Sequence, residues 1–287
     1  MHLFRHGAPG KEKPGLIDRD GRRRDLSAQV DDFTPEAFVD GLLDHLRRLD
    51  PAAQPPVADD VRLGPCIARP GKVVCVGLNY TDHAREADMA LPTEPILFLK
   101  APSALCGPND DILLPPDAAK VDWEVELGVV IGRRASFVAA ADAMTHVAGY
   151  CIVNDISERA YQLERQGQWT KGKSADSFCP VGPWLVTAEE VPDPQALALR
   201  LEVDGHVRQD GSTANMVLGV ADLIAYISRF MTLLPGDLIA TGTPAGVGLG
   251  QKPPAYLRAG NLVRTTIQGL GEQRQTAKHL PLRTAAE

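Results

Sequence analysis

The chain has 287 residues, enough for one large domain or one domain with a small appendage. Apolar residues make up 44% and charged residues 23%, the ordinary mix of a packed globular protein. A formal net charge of -7, with the two signs mixed along the chain, argues against a nucleic-acid partner, which needs a clustered basic surface.

Residues 1–30 alternate short apolar runs with turn signals. Asp20-Gly21 predicts a hairpin turn, and the basic run Arg22-Arg23-Arg24 beside it reads as part of a solvated hairpin. Thr34 and Pro35 open a helix as N-cap and first residue, and Phe38, Leu42, Leu46 and Leu49 recur at helical spacing until Asp50-Pro51 ends it. A proline-rich connection then runs from Pro51 to Pro70, which suggests a small N-terminal subdomain over 1–70 and a catalytic domain over 71–287.

Beyond residue 70 the text is strand-rich: KVVCVGLNY, ILFLK, WEVELGVVIG, GYCIVNDIS, WLVT, LALRLEVDG, DLIAT and LVRTTIQGL all read as β. Helix is predicted after Asn154-Asp155 and from Leu218 to Leu234. Strands and helices do not alternate regularly, so the expected class is α+β with a rolled or barrel-like mixed sheet, not a doubly wound fold. Five cysteines, odd in number and without a CxxC pair, support neither a zinc ribbon nor a disulfide framework. With no leader-like apolar stretch and no run of ~20 apolar residues, the expectation is a cytoplasmic protein without a membrane partner.

Five segments carry chemistry. In Asp122-Trp123-Glu124-Val125-Glu126-Leu127, residues two apart share one side of a strand, so Glu124 and Glu126 project together. Paired carboxylates on a half-buried strand need a proton or a hard cation between them; the alternative is a solvated face of an edge strand. Asp155 ends the apolar run GYCIVND and is either the cap of the next helix or a third carboxylate of the same site. Three carboxylates without His or Cys suit Mg²⁺ or Mn²⁺, not zinc.

The third segment holds His83 and Glu86, on one face if helical from about Asp82. A carboxylate beside a histidine is what a general base for water needs, and also what a surface ion pair looks like. In the fourth, QWTKGKS, Gly172 allows close backbone approach to a ligand, and Lys173 can neutralise an oxyanion or simply be solvated. The fifth, Thr241-Gly242-Thr243-Pro244-Ala245-Gly246-Val247-Gly248, is no dinucleotide loop, because Pro253-Pro254 stand where a helix should start. Its N–H groups, Gly242 included, and the Thr243 hydroxyl can receive a substrate carboxylate.

These segments, in this order and spacing, resemble the fumarylacetoacetate hydrolase superfamily over roughly residues 70–270. The resemblance implies the family's rolled β fold, with Glu124, Glu126 and Asp155 as metal ligands. It implies substrate contacts from Arg159 and Gln162 in the NDxSxRxxQ-like stretch, a site lysine at Lys173, and a TGTP loop at Thr241–Pro244. A lid carrying His83 and Glu86 is similar to that of the acylpyruvase-like branch. The extra metal carboxylate of the metazoan branch, expected near Asn79-Tyr80, is absent. The run SERAYQLERQGQWTKGKSADSFCPVGPWLVT resembles 2,4-diketo-3-deoxy-L-rhamnonate hydrolases, and some enzymes called ureidoglycolate lyases.

What this implies is Mg²⁺-dependent cleavage of a small 2-oxo acid, specifically a 2,4-diketo acid split into pyruvate and a second acid, by a homodimer or dimer of dimers. Decarboxylation, hydration or isomerisation of related 2-oxo acids on the same site is an alternative, as is a non-catalytic metabolite-binding role.

Overall fold

The structure, a computed structural model, describes residues 1–86 and 93–281. The class is α+β: mixed sheets with few and short helices. Among the described residues the largest sheet has ten strands and does not close. From one edge its order is Arg23–Asp25, Lys13–Ile17, His2–His6, Cys179–Thr187, Val147–Asn154, Val125–Ile131, Leu238–Ala240, Val73–Gly77 and Ile96–Lys100. Leu105–Cys106 pairs in parallel with Cys179–Thr187 off this path. Residues 1–70 thus contribute three strands to the sheet that carries Val125–Ile131.

A five-stranded sheet orders His206–Ser212, Ala198–Val203, Leu262–Ile267, Gly271–His279 and Ile112–Leu114. Two buried glutamines show how it sits against the large sheet. Gln209 accepts from the Val125 N–H at 2.9 Å, and Gln273 donates to the Ile152 and Gly182 carbonyls at 2.9 and 3.0 Å. Each satisfies backbone groups that burial would otherwise leave unpaired.

This second layer explains why every residue of Val125–Ile131 is buried. Strict in-out alternation predicts a half-buried strand there; the strand is covered on both faces, as apolar runs such as Leu127-Gly128-Val129-Val130-Ile131 allow.

The helices are shorter than their periodicity predicts. Thr34 accepts from the Ala37 N–H and Pro35 opens the helix as expected, but Pro35–Val39 stops before Gly41, whose φ of +84° is left-handed. Leu42–Arg47 then starts a second helix. The helix expected over 218–234 spans only Val220–Ile227. Past it, Ser228 takes the Val138 N–H on its hydroxyl, and Leu233 forms a β-bridge with Ala135. The hairpin at the N-terminus forms as expected, with Lys13–Ile17 against Arg23–Asp25. Among the described residues no helix is long and apolar enough to cross a membrane.

Candidate active site

Strand register builds the acidic centre. Val125–Ile131 and Val147–Asn154 run antiparallel with Glu126 opposite Val153 and Val125 opposite Asn154. One step further, the Asp155 N–H donates to the Glu124 carbonyl at 2.9 Å. The ends of two neighbouring strands thereby bring Glu124, Glu126 and Asp155 together. Ligand oxygens from all three lie within 4.8 Å of one another, and all three residues are buried. Neither bland reading of these acids holds. Glu124 and Glu126 are not on a solvated edge, and the cap of the helix Arg159–Leu163 is Glu158, whose carboxylate accepts from the Ala160 N–H.

Basic groups hold this acidic cluster together. Lys173 Nζ lies between Glu124 and Asp155, 2.7 and 2.8 Å from their oxygens. Arg159 donates through Nη2 to Glu124 at 2.6 Å, through Nε to Asp122 at 2.8 Å and through Nη1 to Gln162 at 3.0 Å. Lys100, fully buried at the end of Ile96–Lys100, donates to Asp155 and to the Ile156 carbonyl.

Electrostatics splits the two glutamates. Burial alone would raise Glu124, but Lys173 and Arg159 outweigh it and hold the carboxyl well below the usual range. Glu126 goes the other way: burial first, then repulsion from Asp155 and Glu124, pushes it well above the range. Lys173 and the Gly242 N–H, at 2.9 Å, relieve it only in part. Lys173 is pushed up, because its two carboxylates outweigh the cost of burial.

Three hard oxygen donors, converging and short of positive charge, fit a divalent cation such as Mg²⁺ or Mn²⁺. No His or Cys takes part in the cluster, which makes zinc a poor match.

A cavity of about 160 Å³ opens onto this centre. Glu124, Glu126, Arg159, Gln162, Lys173, Thr243 and His83 face it. His83 comes from the helix Thr81–Glu86, with Nδ1 3.4 Å from Glu86. Glu86 in turn accepts the Gly246 N–H on both oxygens at 3.0 Å. The His83–Glu86 helix is thus fastened to the glycine-rich loop.

That loop behaves differently from its expected role as a receptor for a substrate carboxylate. Three of its N–H groups, and that of Leu249 after it, are taken by the protein's own acids. Gly242 serves Glu126, Gly246 serves Glu86, and Gly248 and Leu249 serve Asp122 at 2.6 and 2.9 Å. The Thr243 hydroxyl donates to the Val125 carbonyl at 2.9 Å and accepts from Gln209 at 2.7 Å. Gly172 likewise makes room for backbone and not for a ligand: a Cβ there would lie 2.5 Å from the Glu158 carbonyl and 2.6 Å from the Gln162 nitrogen. The glycine lets Thr170–Lys173 pack on Arg159–Leu163, which is what delivers Lys173.

Two site residues were not foreseen. Asp122, fully buried, gathers Arg159, the Gly248 and Leu249 N–H groups and its neighbour's Trp123 N–H. Lys100 reads in sequence as the polar end of a strand, and nothing nearby in the chain marks its partner Asp155.

Residues 72–278 match the family model described as fumarylacetoacetate (FAA) hydrolase C-terminal. A provisionally named hydrolase of Burkholderia multivorans is 58% identical over 279 residues, which cover 97% of this chain and 99% of that one. Among solved structures, the fumarylacetoacetate hydrolase of psychrophilic Exiguobacterium antarcticum superposes with a TM-score of 0.85 at 37% identity, covering 98% of this chain and all of the other. Maleylpyruvate hydrolase from Sphingobium sp. SYK-6, solved with manganese(II) and pyruvate, superposes with a TM-score of 0.81 at 31% identity, with 98% and 100% coverage.

Proposed function

The chain belongs to the fumarylacetoacetate hydrolase family, and from that premise we propose that it is a Mg²⁺-dependent hydrolase cleaving the C3–C4 bond of a 2,4-diketo acid to pyruvate and a second small acid. The observation that carries this reading is a cluster of three buried carboxylates beside a cavity that Glu124, Glu126 and His83 line, with His83 paired to Glu86. The manganese and pyruvate bound by the Sphingobium relative support it from outside.

Glu124, Glu126 and Asp155 would hold the cation, which supplies Lewis-acid polarisation of the 2-oxo acid head and charge stabilisation for the enolate that departs. His83, held by Glu86, takes the proton of a water as its oxygen attacks C4. The C3–C4 bond breaks, its electron pair goes to C3 as an enolate, and C3 is then protonated to give pyruvate; C4 leaves as a carboxylic acid. Lys173, kept charged by Glu124 and Asp155, adds positive charge on the same side of the cavity. Arg159 and Gln162 orient the substrate, Arg159 fixed by Asp122 and Glu124 and Gln162 by Arg159. Thr81–Glu86 shields the site from bulk water when fastened to Gly246.

A panel of 2,4-diketo acids, oxaloacetate and 2-oxo-enoates, assayed for pyruvate with Mg²⁺ and with a chelator, tests this. Metal-dependent pyruvate release from the diketo acids is expected. Release from oxaloacetate alone would replace hydrolysis by decarboxylation, and metal-dependent binding without turnover would replace the enzyme by a metabolite-binding protein.

A further inference from the structure

The cavity is two-sided in chemistry. One part of its lining is the acidic centre with Lys173 and Arg159, with Gln162, Thr243 and His83 beside it; the apolar wall is Val76, Leu78, Phe98, Leu163, Trp169 and Leu249, with the Phe98 ring 5.0 Å from Lys173 Nζ. Trp169 is the largest piece. Its ring stands against Phe98 with centroids 5.3 Å apart, and a Cβ at Gly77 would lie 2.5 Å from it, so only glycine leaves it room there. The one polar side-chain atom these six residues offer is the Trp169 indole N–H.

Among the described residues that line the cavity, no lysine or arginine is free to serve a second charge, and the one histidine, His83, is paired with Glu86. Lys173 is engaged by Glu124 and Asp155, and Arg159 by Asp122, Glu124 and Gln162. A carboxylate placed against this wall would lose its hydration with no cation and only the Trp169 N–H to replace it, whereas a methyl or methylene group gains by leaving water. A hydroxylated chain fares little better, since one neutral donor cannot satisfy several hydroxyls. A volume of about 160 Å³ is close to that of cavities that take up a single benzene, which keeps the ligand small.

We propose that Trp169, backed by Phe98 and Leu163, is a specificity-determining residue that selects 2-oxo acids whose distal group is short, neutral and apolar, and turns away those bearing a second carboxylate. The inference rests on the 2-oxo acid reading of the metal-side floor. It concerns the opposite end of the ligand.

The test is a binding comparison on the Mg²⁺-loaded full chain between 2-oxopentanoate and 2-oxoglutarate, which differ only in a terminal methyl against a carboxylate. Calorimetry is expected to give at least about tenfold tighter binding of 2-oxopentanoate. Trp169→Ala should erase most of that gap. Leu163→Arg, at a lining position that is 47% exposed, should strengthen 2-oxoglutarate binding by adding a cation to the apolar wall. Equal or tighter binding of 2-oxoglutarate by the unaltered protein overturns the proposal. So does an undiminished gap in Trp169→Ala, or no gain in Leu163→Arg. Failure of both ligands to bind removes the 2-oxo acid reading and this proposal with it. Binding with the expected preference but no pyruvate from diketo acids removes only the hydrolase reading.

Discussion

Asp122 and Arg159 form a buried ion pair, 2.8 Å from Nε to Oδ2, and the same carboxylate receives the N–H groups of Gly248 and Leu249. One side chain therefore positions both the arginine that faces the cavity and the loop that fastens the His83 helix. Removing a partner from such a pair leaves a buried charge and orphaned donors, at a cost of about 3–5 kcal/mol. Asp122→Ala should lower the melting temperature by roughly 5–15 °C. Asp122→Asn, which keeps one acceptor oxygen but not the charge, should fall between it and the native protein. Thermal unfolding of the three proteins checks this; an unchanged midpoint for Asp122→Ala would mean that the network contributes little.

His83→Ala should separate chemistry from metal binding. The ring is not among the three converging carboxylates, so the titration of Mg²⁺ into the variant should resemble that of the native chain. Loss of a positioned base lowers turnover of a 2,4-diketo acid by about 10²–10⁴-fold. A variant that hydrolyses at the native rate would retire His83 as the base. One that no longer binds Mg²⁺ would make it part of the metal site instead.

The acidic centre was legible because its signal is local. Glu124 and Glu126 sit two apart on one strand, Asp155 ends the strand that pairs with it, and register does the rest. The α+β class followed from strands that do not alternate with helices. Asp122 and Lys100 escaped for the opposite reason: their partners lie far along the chain, Gly248 126 residues from Asp122 and Asp155 55 residues from Lys100. The glycine-rich loop is only partly legible, because composition reveals free N–H groups but not that those of Gly242, Gly246 and Gly248 go to Glu126, Glu86 and Asp122. Helix lengths were overrun where one residue decides. Gly41 turns left-handed and splits an apolar stripe that would otherwise continue, and no periodicity registers that.

Lys100 offers a test of how the charges are shared. Around the centre, Asp122, Glu124, Glu126 and Asp155 face Lys100, Arg159 and Lys173. Without a metal, Lys100→Met leaves Asp155 with Lys173 alone and the Ile156 carbonyl without its donor. A divalent cation at the triad restores much of the missing positive charge. The variant should therefore be destabilised more in a chelator than in saturating Mg²⁺, by a difference of roughly 1–3 kcal/mol. Thermal unfolding under the two conditions measures it. An equal loss in both would assign Lys100 a packing role independent of the site's charge.

Gly250→Ala probes the fastening of the His83 helix without touching a metal ligand. Gly250 closes the turn Gly248–Gly250, and a methyl group on its Cα would overlap the carboxyl group of Glu86. Its backbone needs no left-handed φ, so the substitution acts through that contact and not through strain. Glu86 would be pushed off the Gly246 N–H, and its 3.4 Å approach to His83 Nδ1 would be lost with it. A base displaced by about an ångström costs on the order of 10²-fold in turnover, while Mg²⁺ binding at Glu124, Glu126 and Asp155 stays as it was. Steady-state kinetics on a 2,4-diketo acid, alongside a Mg²⁺ titration, reads both quantities from one variant. If Gly250→Ala turns over at the native rate, the contact between Glu86 and the glycine-rich loop does not set the position of the base.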